Sequence, residues 1–426
     1  MRGGAQKLLP LRGITPGILA VVVTTFLVAV STGALYSLSP FYLKAVGISV
    51  AAIGGIQSTA EAIAQACKLF SGIIGDYLNR NKPMLLLGTF LSAIANPIFI
   101  FADALWLAVT SKICDRIGNG LSSTPRDVYT AQHSSPENKG TSIALVMTFK
   151  TLGCVLGPWI VMAVFNYVGS GEIPYKSMIA FLSFPSFLAI FVCLFGMKEG
   201  RRAKIKGKPD EKAAQHKAQT ANEKGRSSGG KKFFDIKAVS SLSKSFWLFI
   251  FIMSIFTFAR APEAYMLLGL HETGLPLWFC SGVIGFFNLI STLVSLPAGR
   301  LSDKFGRSTV LVFSFAALTV SLLCLSFPSK MLGVIGVVFW GVQRSTSQIL
   351  SVACIADIVP ARILGTAIGL LNLSASAVGI ANAFAYGAIE KKYDFYTVYT
   401  IAAVCSFVAL TAMFAFYKAN KSSSTC

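Results

Sequence analysis

Gly299-Arg-Leu-Ser-Asp303-Lys-Phe-Gly-Arg307 lies in the second half of the chain, and a degenerate copy, Gly72-Ile-Ile-Gly-Asp76-Tyr-Leu-Asn-Arg80-Asn-Lys82, lies in the first. Gly72, Asp76 and Arg80 each precede Gly299, Asp303 and Arg307 by 227 positions. A weaker echo pairs Gly140-Thr141-Ser-Ile143 with Gly365-Thr366-Ala-Ile368. The spacing has a physical reading. The Gly and the Asp are four apart, so they share one helix face, and the Gly lets a neighbouring helix approach closely. The Asp can accept from the free N–H groups at another helix's N-terminus, and the basic residues that follow anchor the loop at a membrane surface.

Both copies are flanked by long apolar stretches. Hydrophobic residues make up 54% of the 426 and charged residues 13%, about half the charged share of a soluble protein. So few charges cannot cover a soluble globule of this size, and so apolar a chain is not disordered. Nine Cys in this length do not make a disulfide scaffold, and most of them lie inside apolar stretches, where a thiol acts as a small hydrophobe. The pattern is that of a polytopic helical membrane protein. A crossing helix needs roughly 20 apolar residues. Stretches of that kind fall near 16–43, 51–75, 83–103, 105–129, 140–167 and 177–197, and again near 245–270, 276–300, 308–328, 331–356, 363–389 and 395–418. Period-two alternation is absent, which excludes a β-barrel. The expected fold is all-α, twelve transmembrane helices in two pseudo-symmetric six-helix bundles, 1–197 and 245–426, joined by a basic linker, 198–244.

The net charge of +20 does not signal nucleic acid, because residues 198–244 alone hold 14 Lys/Arg against 5 Asp/Glu. The remaining Lys/Arg concentrate on the loops of the same side. Outer loops carry only Lys44, Lys176, Lys330, Lys391 and Lys392. The excess of basic residues on cytoplasmic loops then puts both termini in the cytoplasm. The linker reads as a flexible cytoplasmic tether, with a grip on anionic headgroups or regulated docking as alternatives.

These features resemble the major facilitator superfamily of secondary transporters, whose loop signature G-x-x-x-D-x-x-G-R is well formed at Gly299–Arg307 and degenerate at Gly72–Lys82, where Asn79 replaces a glycine. The resemblance covers essentially the whole chain. It implies that Asp76 meets the start of the eleventh span near Gly365-Thr366 and Asp303 the start of the fifth near Gly140-Thr141, locking the outward-facing state. It further implies a cavity built by spans 1, 4, 5, 7, 8, 10 and 11. Asp115-Arg116-Ile-Gly118-Asn-Gly120, followed by Pro125-Arg126-Asp127, is similar to a prokaryotic subgroup with D-R-x-G-x-G and P-R-D in the fourth span. That implies a bacterial inner membrane and adds Arg126 and Asp127 to the gating residues. Gly153-Cys-Val-Leu-Gly157-Pro158 is similar to an element of proton-coupled efflux antiporters, although the two glycines that often follow are missing; the resemblance adds Gly157 and Pro158 to the gating residues.

Charges inside spans cost several kcal/mol unless paired or wetted, and are functional-site hypotheses by default. They are Glu61 and Lys68 in span 2, Lys112, Asp115 and Arg116 in span 4, Lys150 in span 5, Arg260 and Glu263 in span 7, and Arg344 in span 10. Glu61, Gln65 and Lys68 share a face, Lys150 lines up with Gly153, Cys154 and Gly157, and Arg260 can pair with Glu263 three residues on. In the functional reading Arg116, Lys150 and Arg344, with Asn372 in span 11, bind an anionic or zwitterionic solute. A guanidinium suits a carboxylate or phosphate because it binds bidentately. Glu61 and Asp115 are then the proton-coupling carboxylates. The competing reading makes these charges structural ion pairs. Tyr36, Phe41, Tyr42, Phe149 and Tyr265 either line a cavity or pack.

His133, His216 and His271 fall in loops without ligand spacing, so no metal site is expected. There is no phosphate-binding Gly-rich run and no nucleophile elbow, so neither cofactor, direct ATP drive nor enzymatic activity is expected. The expectation is a monomeric, proton-coupled secondary transporter of a small solute in the lipid bilayer, with no nucleic-acid partner. The alternatives are a proton-driven efflux antiporter for drugs or siderophore-like compounds and, in another class, a non-transporting membrane sensor or receptor.

Overall fold

Apolar runs of this length form helices because the bilayer leaves no partner for an unpaired backbone N–H or C=O. A computed structural model describes residues 15–78, 81–102, 104–134, 139–168, 175–197, 243–359 and 364–423. The first half holds α1 (Pro16–Ala45), α2 (Val50–Leu78), α3 (Lys82–Ile100), α4 (Leu105–His133), α5 (Lys139–Val168) and α6 (Tyr175–Gly196). The second holds α7 (Lys244–Ala259), α8 (Glu263–Glu272), α9 (Leu277–Phe305), α10 (Arg307–Leu325), α11 (Lys330–Ile358), α12 (Leu364–Lys392) and α13 (Phe395–Ser423). Thr15 and Ser243 cap α1 and α7, each side chain accepting from the backbone N–H three residues on. Most helices run past the apolar windows, because polar residues at the membrane surface continue them.

Among the described residues nine segments are long and apolar enough to cross a membrane, with α7 and α8 together forming one of them. The other three of the expected twelve are α2, α4 and α11. Each has 29 residues, about 43 Å of helix, which is ample length. They miss on hydropathy because they carry Glu61, Lys68, Lys112, Asp115, Arg116 and Arg344. The linker 198–242, with His216, lies outside the described residues.

The seventh span departs from expectation. It breaks at Arg260-Ala261-Pro262, where Pro262 precedes the first residue of α8. Proline has no N–H to donate and disfavours a helical residue before it. Asn382 of α12 covers the opened carbonyls, its Nδ2 lying 3.0 Å from Thr257 O, 3.3 Å from Phe258 O and 2.9 Å from Arg260 O. The Tyr386 hydroxyl donates to Phe258 O at 2.9 Å.

Within the first half α1 packs on α5 and α6, and α4 on α2 and α3; within the second α10 packs on α11 and α13, and α9 on α11. The halves meet chiefly through α5 against α9 and α2 against α12. On the side where α1 ends, these seams are tight. A Cβ on Gly285 would stand 2.6 Å from the Trp159 ring and 2.8 Å from Val155 O. Gly282 lies as close to Met162, Gly54 to Tyr265, and Gly387 to Ala51. Lys44 also pairs with Glu272 across the halves at 3.0 Å, and Phe41 meets His271 edge-on. On the opposite side, Gly299 and Gly369 meet nothing within 4 Å among the described residues. The halves are closed on one side and parted on the other.

Candidate functional site

Between the parted halves lie two adjoining cavities of about 590 and 280 Å³. Both are lined by Tyr36, Glu61, Gln65, Glu263, Arg344 and Gln348, so they form one continuous space. All seven expected spans contribute to it. So does α2, through Gln57, Glu61 and Lys68, which the resemblance did not imply.

In the first half, Arg116 Nη1 lies 3.4 Å from Glu61 Oε2 and its Nε 3.6 Å from Asp115 Oδ2. Its guanidinium carbon sits 5.2 Å from the Tyr36 ring centroid. Asp115 is 3% exposed and lines neither cavity. Thr32 Oγ1 and Asn119 Nδ2 donate to it at 3.2 and 3.0 Å. Asp115 thus stands behind Arg116, away from the cavity wall. Lys112 is also buried, donating to Ser39 Oγ at 2.7 Å between the rings of Tyr36 and Phe99. Gln65 donates to Glu61 at 3.3 Å and Lys68 to Gln65 at 3.5 Å, along the shared face of α2.

In the second half Arg344 forms a close ion pair with Glu263, and Phe287 lies under its guanidinium at 5.4 Å. The break before α8 turns Glu263 toward Arg344, so the expected Arg260–Glu263 pair does not form. Gln57 Oε1, across the interface, accepts from Ala264 N at 3.3 Å. Lys150 and Cys154 face the larger cavity, and Arg260 and Asn372 the smaller. Neither Lys150 nor Arg260 has a carboxylate partner among the described residues. Arg126 lines the larger cavity and pairs with Asp127 at 3.0 Å.

Other expectations resolve into packing. Gly153 and Gly157 line neither cavity. They press on α1, where a Cβ on Gly157 would collide with Val30 O and lie 2.7 Å from Ala34 N, and Pro158 abuts Gly33. That contact gives Gly157-Pro158 a packing role against α1. Phe41, Tyr42 and Tyr265 are core residues, Phe149 meets Phe26, and of these aromatics Tyr36 alone lines the cavities. His133 and His271 end helices, the former stacked on Tyr129. Arg307 pairs with Asp357 and donates to Ala353 O, which ties α10 to α11 within one half. Arg80 lies outside the described residues, as do the side chains of Asp76, Asp303 and Thr366; Gly72, Gly140 and Gly365 are described only as helical backbone.

Glu263 and Tyr36 were legible as site residues through a signal left unused. Glu263 follows Tyr36 by 227 positions, the spacing of the loop motifs, and Arg344 follows Arg116 by 228. The duplication therefore carries over to the centre of each half.

The family model of the Major Facilitator Superfamily matches residues 21–293 and 271–425. An uncharacterized MFS-type transporter of Methanocaldococcus jannaschii is 23% identical over 374 residues, covering 83% of this chain and 85% of that protein. The crystal structure of the nucleoside transporter NupG superposes with a TM-score of 0.72 at 15% identity, covering 94% of this chain and 99% of that one. A POT family transporter in complex with 5-aminolevulinic acid superposes with a TM-score of 0.70 at 12% identity, covering 94% and 96%.

Proposed function

The chain belongs to the major facilitator superfamily and is a multi-pass membrane transporter of a small solute; from that premise we propose a proton-coupled secondary transporter for an anionic or zwitterionic solute, bound in the central cavity. The observation that carries this reading is the charge of the cavity wall. Lys68, Arg116, Arg126, Lys150, Arg260 and Arg344 line it against two carboxylates, Glu61 and Glu263, and both of those are already paired. In a cleft between apolar helices such an excess is costly until an anion enters. Asn372, exposed on the wall, adds a neutral hydrogen-bonding group.

The two bundles, 1–197 and 245–426, rock about this site and expose it to each side in turn. With both termini cytoplasmic in an inner membrane, the parted side is the cytoplasmic one, and this conformation of the monomer is the inward-facing one. Gly72, Asp76, Arg80, Gly299, Asp303, Arg307, Arg126 and Asp127 then serve the cytoplasmic gate. Glu61 is the better proton site of the two carboxylates first considered. Its side chain is 52% exposed to the cavity, and protonating it leaves Arg116 with Asp115 as its one carboxylate partner. Asp115, shielded and hydrogen-bonded, keeps Arg116 oriented. A drug-type cargo finds little support in so polar and charged a wall.

The test is transport by purified protein in liposomes under an imposed pH gradient, with panels of carboxylates, phosphates, amino acids, sugars, nucleosides and cationic drugs. Accumulation of an anion that collapses with the gradient, and persists only as exchange in Glu61→Gln, supports the reading. Gradient-driven transport that is intact in Glu61→Gln removes Glu61 as the proton site. Selective transport of cations removes the anionic assignment.

A further inference from the structure

Four of the cavity's cations are already engaged. Arg116 faces Glu61 and Asp115, Arg344 faces Glu263, Arg126 faces Asp127, and Lys68 reaches Gln65 on the Glu61 face. Two are left over. Lys150 of α5 belongs to the first half and Arg260, at the break between α7 and α8, to the second. Neither makes a hydrogen bond or ion pair through its side chain with another described residue.

Their placement is informative. α5 and α7 both begin on the parted side. Lys150 lies 11 residues into α5 and Arg260 16 residues from the start of α7. Lys150 lines the larger of the two adjoining cavities and Arg260 the smaller, and neither lines both, so the two cations serve different parts of one continuous space. The cavity offers no counterpart for an ammonium group, since Glu61 and Glu263 are each held by an arginine.

Resting on the proposed anion site, we infer that the solute carries two separate anionic groups, as an α,ω-dicarboxylate does, one held by Lys150 and the other by Arg260. Arg260 takes its carboxylate through a forked pair of N–H groups, and Lys150 takes the other as a point charge. Such a solute is itself the bridge between the halves. It neutralises a cation without a carboxylate partner on each wall, so its binding favours the halves closing over it. A monoanion leaves one of the two charges exposed.

The experiment is a binding titration by thermal shift on the detergent-purified full chain. The probes are butyrate, succinate, glutarate, adipate, glutamate, glycerol 3-phosphate and putrescine, against the native protein and Lys150→Gln, Arg260→Gln, Lys150→Arg and Arg260→Lys. The expected result is at least tenfold tighter binding of one of the dicarboxylates than of butyrate and of zwitterionic glutamate. Each Gln variant should bring dicarboxylate affinity down to about that of butyrate, and the charge-keeping variants should restore most of the margin. Charge-keeping variants that bind as the Gln variants do overturn the inference. It is likewise overturned, with the anion site intact, if butyrate and the dicarboxylates bind equally, if glycerol 3-phosphate alone binds, or if the Gln variants lose both carboxylate classes in parallel. Putrescine binding with no anion binding overturns the anion site itself.

Discussion

Glu263 and Glu61 each face an arginine, yet their surroundings assign them different work. The Glu263 side chain is 8% exposed and Arg344 27%, while Glu61 is 52% exposed and Arg116 keeps Asp115 as a second partner. Removing one member of a buried pair strands the other charge and costs about 3–5 kcal/mol; the water that reaches Arg344 lowers this to about 2–3 kcal/mol. An exposed pair is worth about 0–1 kcal/mol. Glu263→Gln should therefore lower the thermal unfolding temperature well below that of Glu61→Gln in the same detergent. Equal shifts would mean that Arg344 finds another partner. Lys112 gives the opposite expectation. It is buried on a neutral hydroxyl between two rings, so Lys112→Met exchanges a desolvated charge for an apolar chain of similar length. Unfolding at an unchanged or higher temperature is expected, and a fall of several degrees would give the ammonium a structural role. The sequence alone exposed every one of these charges, because an ionised side chain in an apolar run is conspicuous. It did not reveal their partners. Arg260 and Glu263, three apart, suggest a helical pair, and only the break between them sends Glu263 to Arg344. Asp115 likewise looks equivalent to Glu61 in the sequence, and only its donors Thr32 and Asn119 mark it as a buried support.

Helix boundaries and helix contacts follow from residues that are harder to read. The apolar windows located the spans, but 245–270 is continuous in hydropathy and conceals a break, because the residue that makes the break tolerable, Asn382, lies on a different helix. Asn382→Leu should strip the donor from three carbonyls at the end of α7. An unsatisfied buried acceptor costs about 1–3 kcal/mol. A loss of that size in unfolding free energy is expected, with Arg260 displaced and anion binding weakened along with it. Full stability would mean that Tyr386 and water suffice. Gly157 raises a similar question for α5. Its Cβ position is occupied by backbone atoms of α1, which cannot rotate away, so Gly157→Ala should cost about 1–3 kcal/mol by overpacking. If instead the variant folds normally and only its export of apolar compounds falls, the packing account fails and an antiporter role returns. The motif was visible in the sequence, but a glycine that seats a helix and one that moves it have the same letter.

At the scale of the molecule the sequence was most informative, since the 227-residue repeat of the loops and of Tyr36 and Glu263 already encodes two related halves. Which side of the molecule is shut could not be read from it, because that depends on contacts between halves and not within them. The shut side is held chiefly by glycines that let α9 lie on α5 and α12 on α2. The Lys44–Glu272 bridge, about 40% exposed at both ends, adds at most about 1 kcal/mol. A wedge at the seam should therefore act more strongly than loss of the bridge. Gly285→Val places two methyl groups where the Trp159 ring and the Val155 carbonyl now sit. The seam is then costly to close, while the parted side, remote from Gly285, is unaffected. Spin labels at Ala45→Cys and Thr273→Cys straddle the shut side. Their distance distribution should move to longer values in Gly285→Val, whereas Glu272→Gln should leave most molecules at the short distance. The wedge should also slow transport more than it weakens anion binding, because the cavity-lining residues are untouched and only the state shut on this side is penalised. A short distance retained in Gly285→Val, or a long one in Glu272→Gln, would shift the closing force from the glycine seams to the surface ion pair.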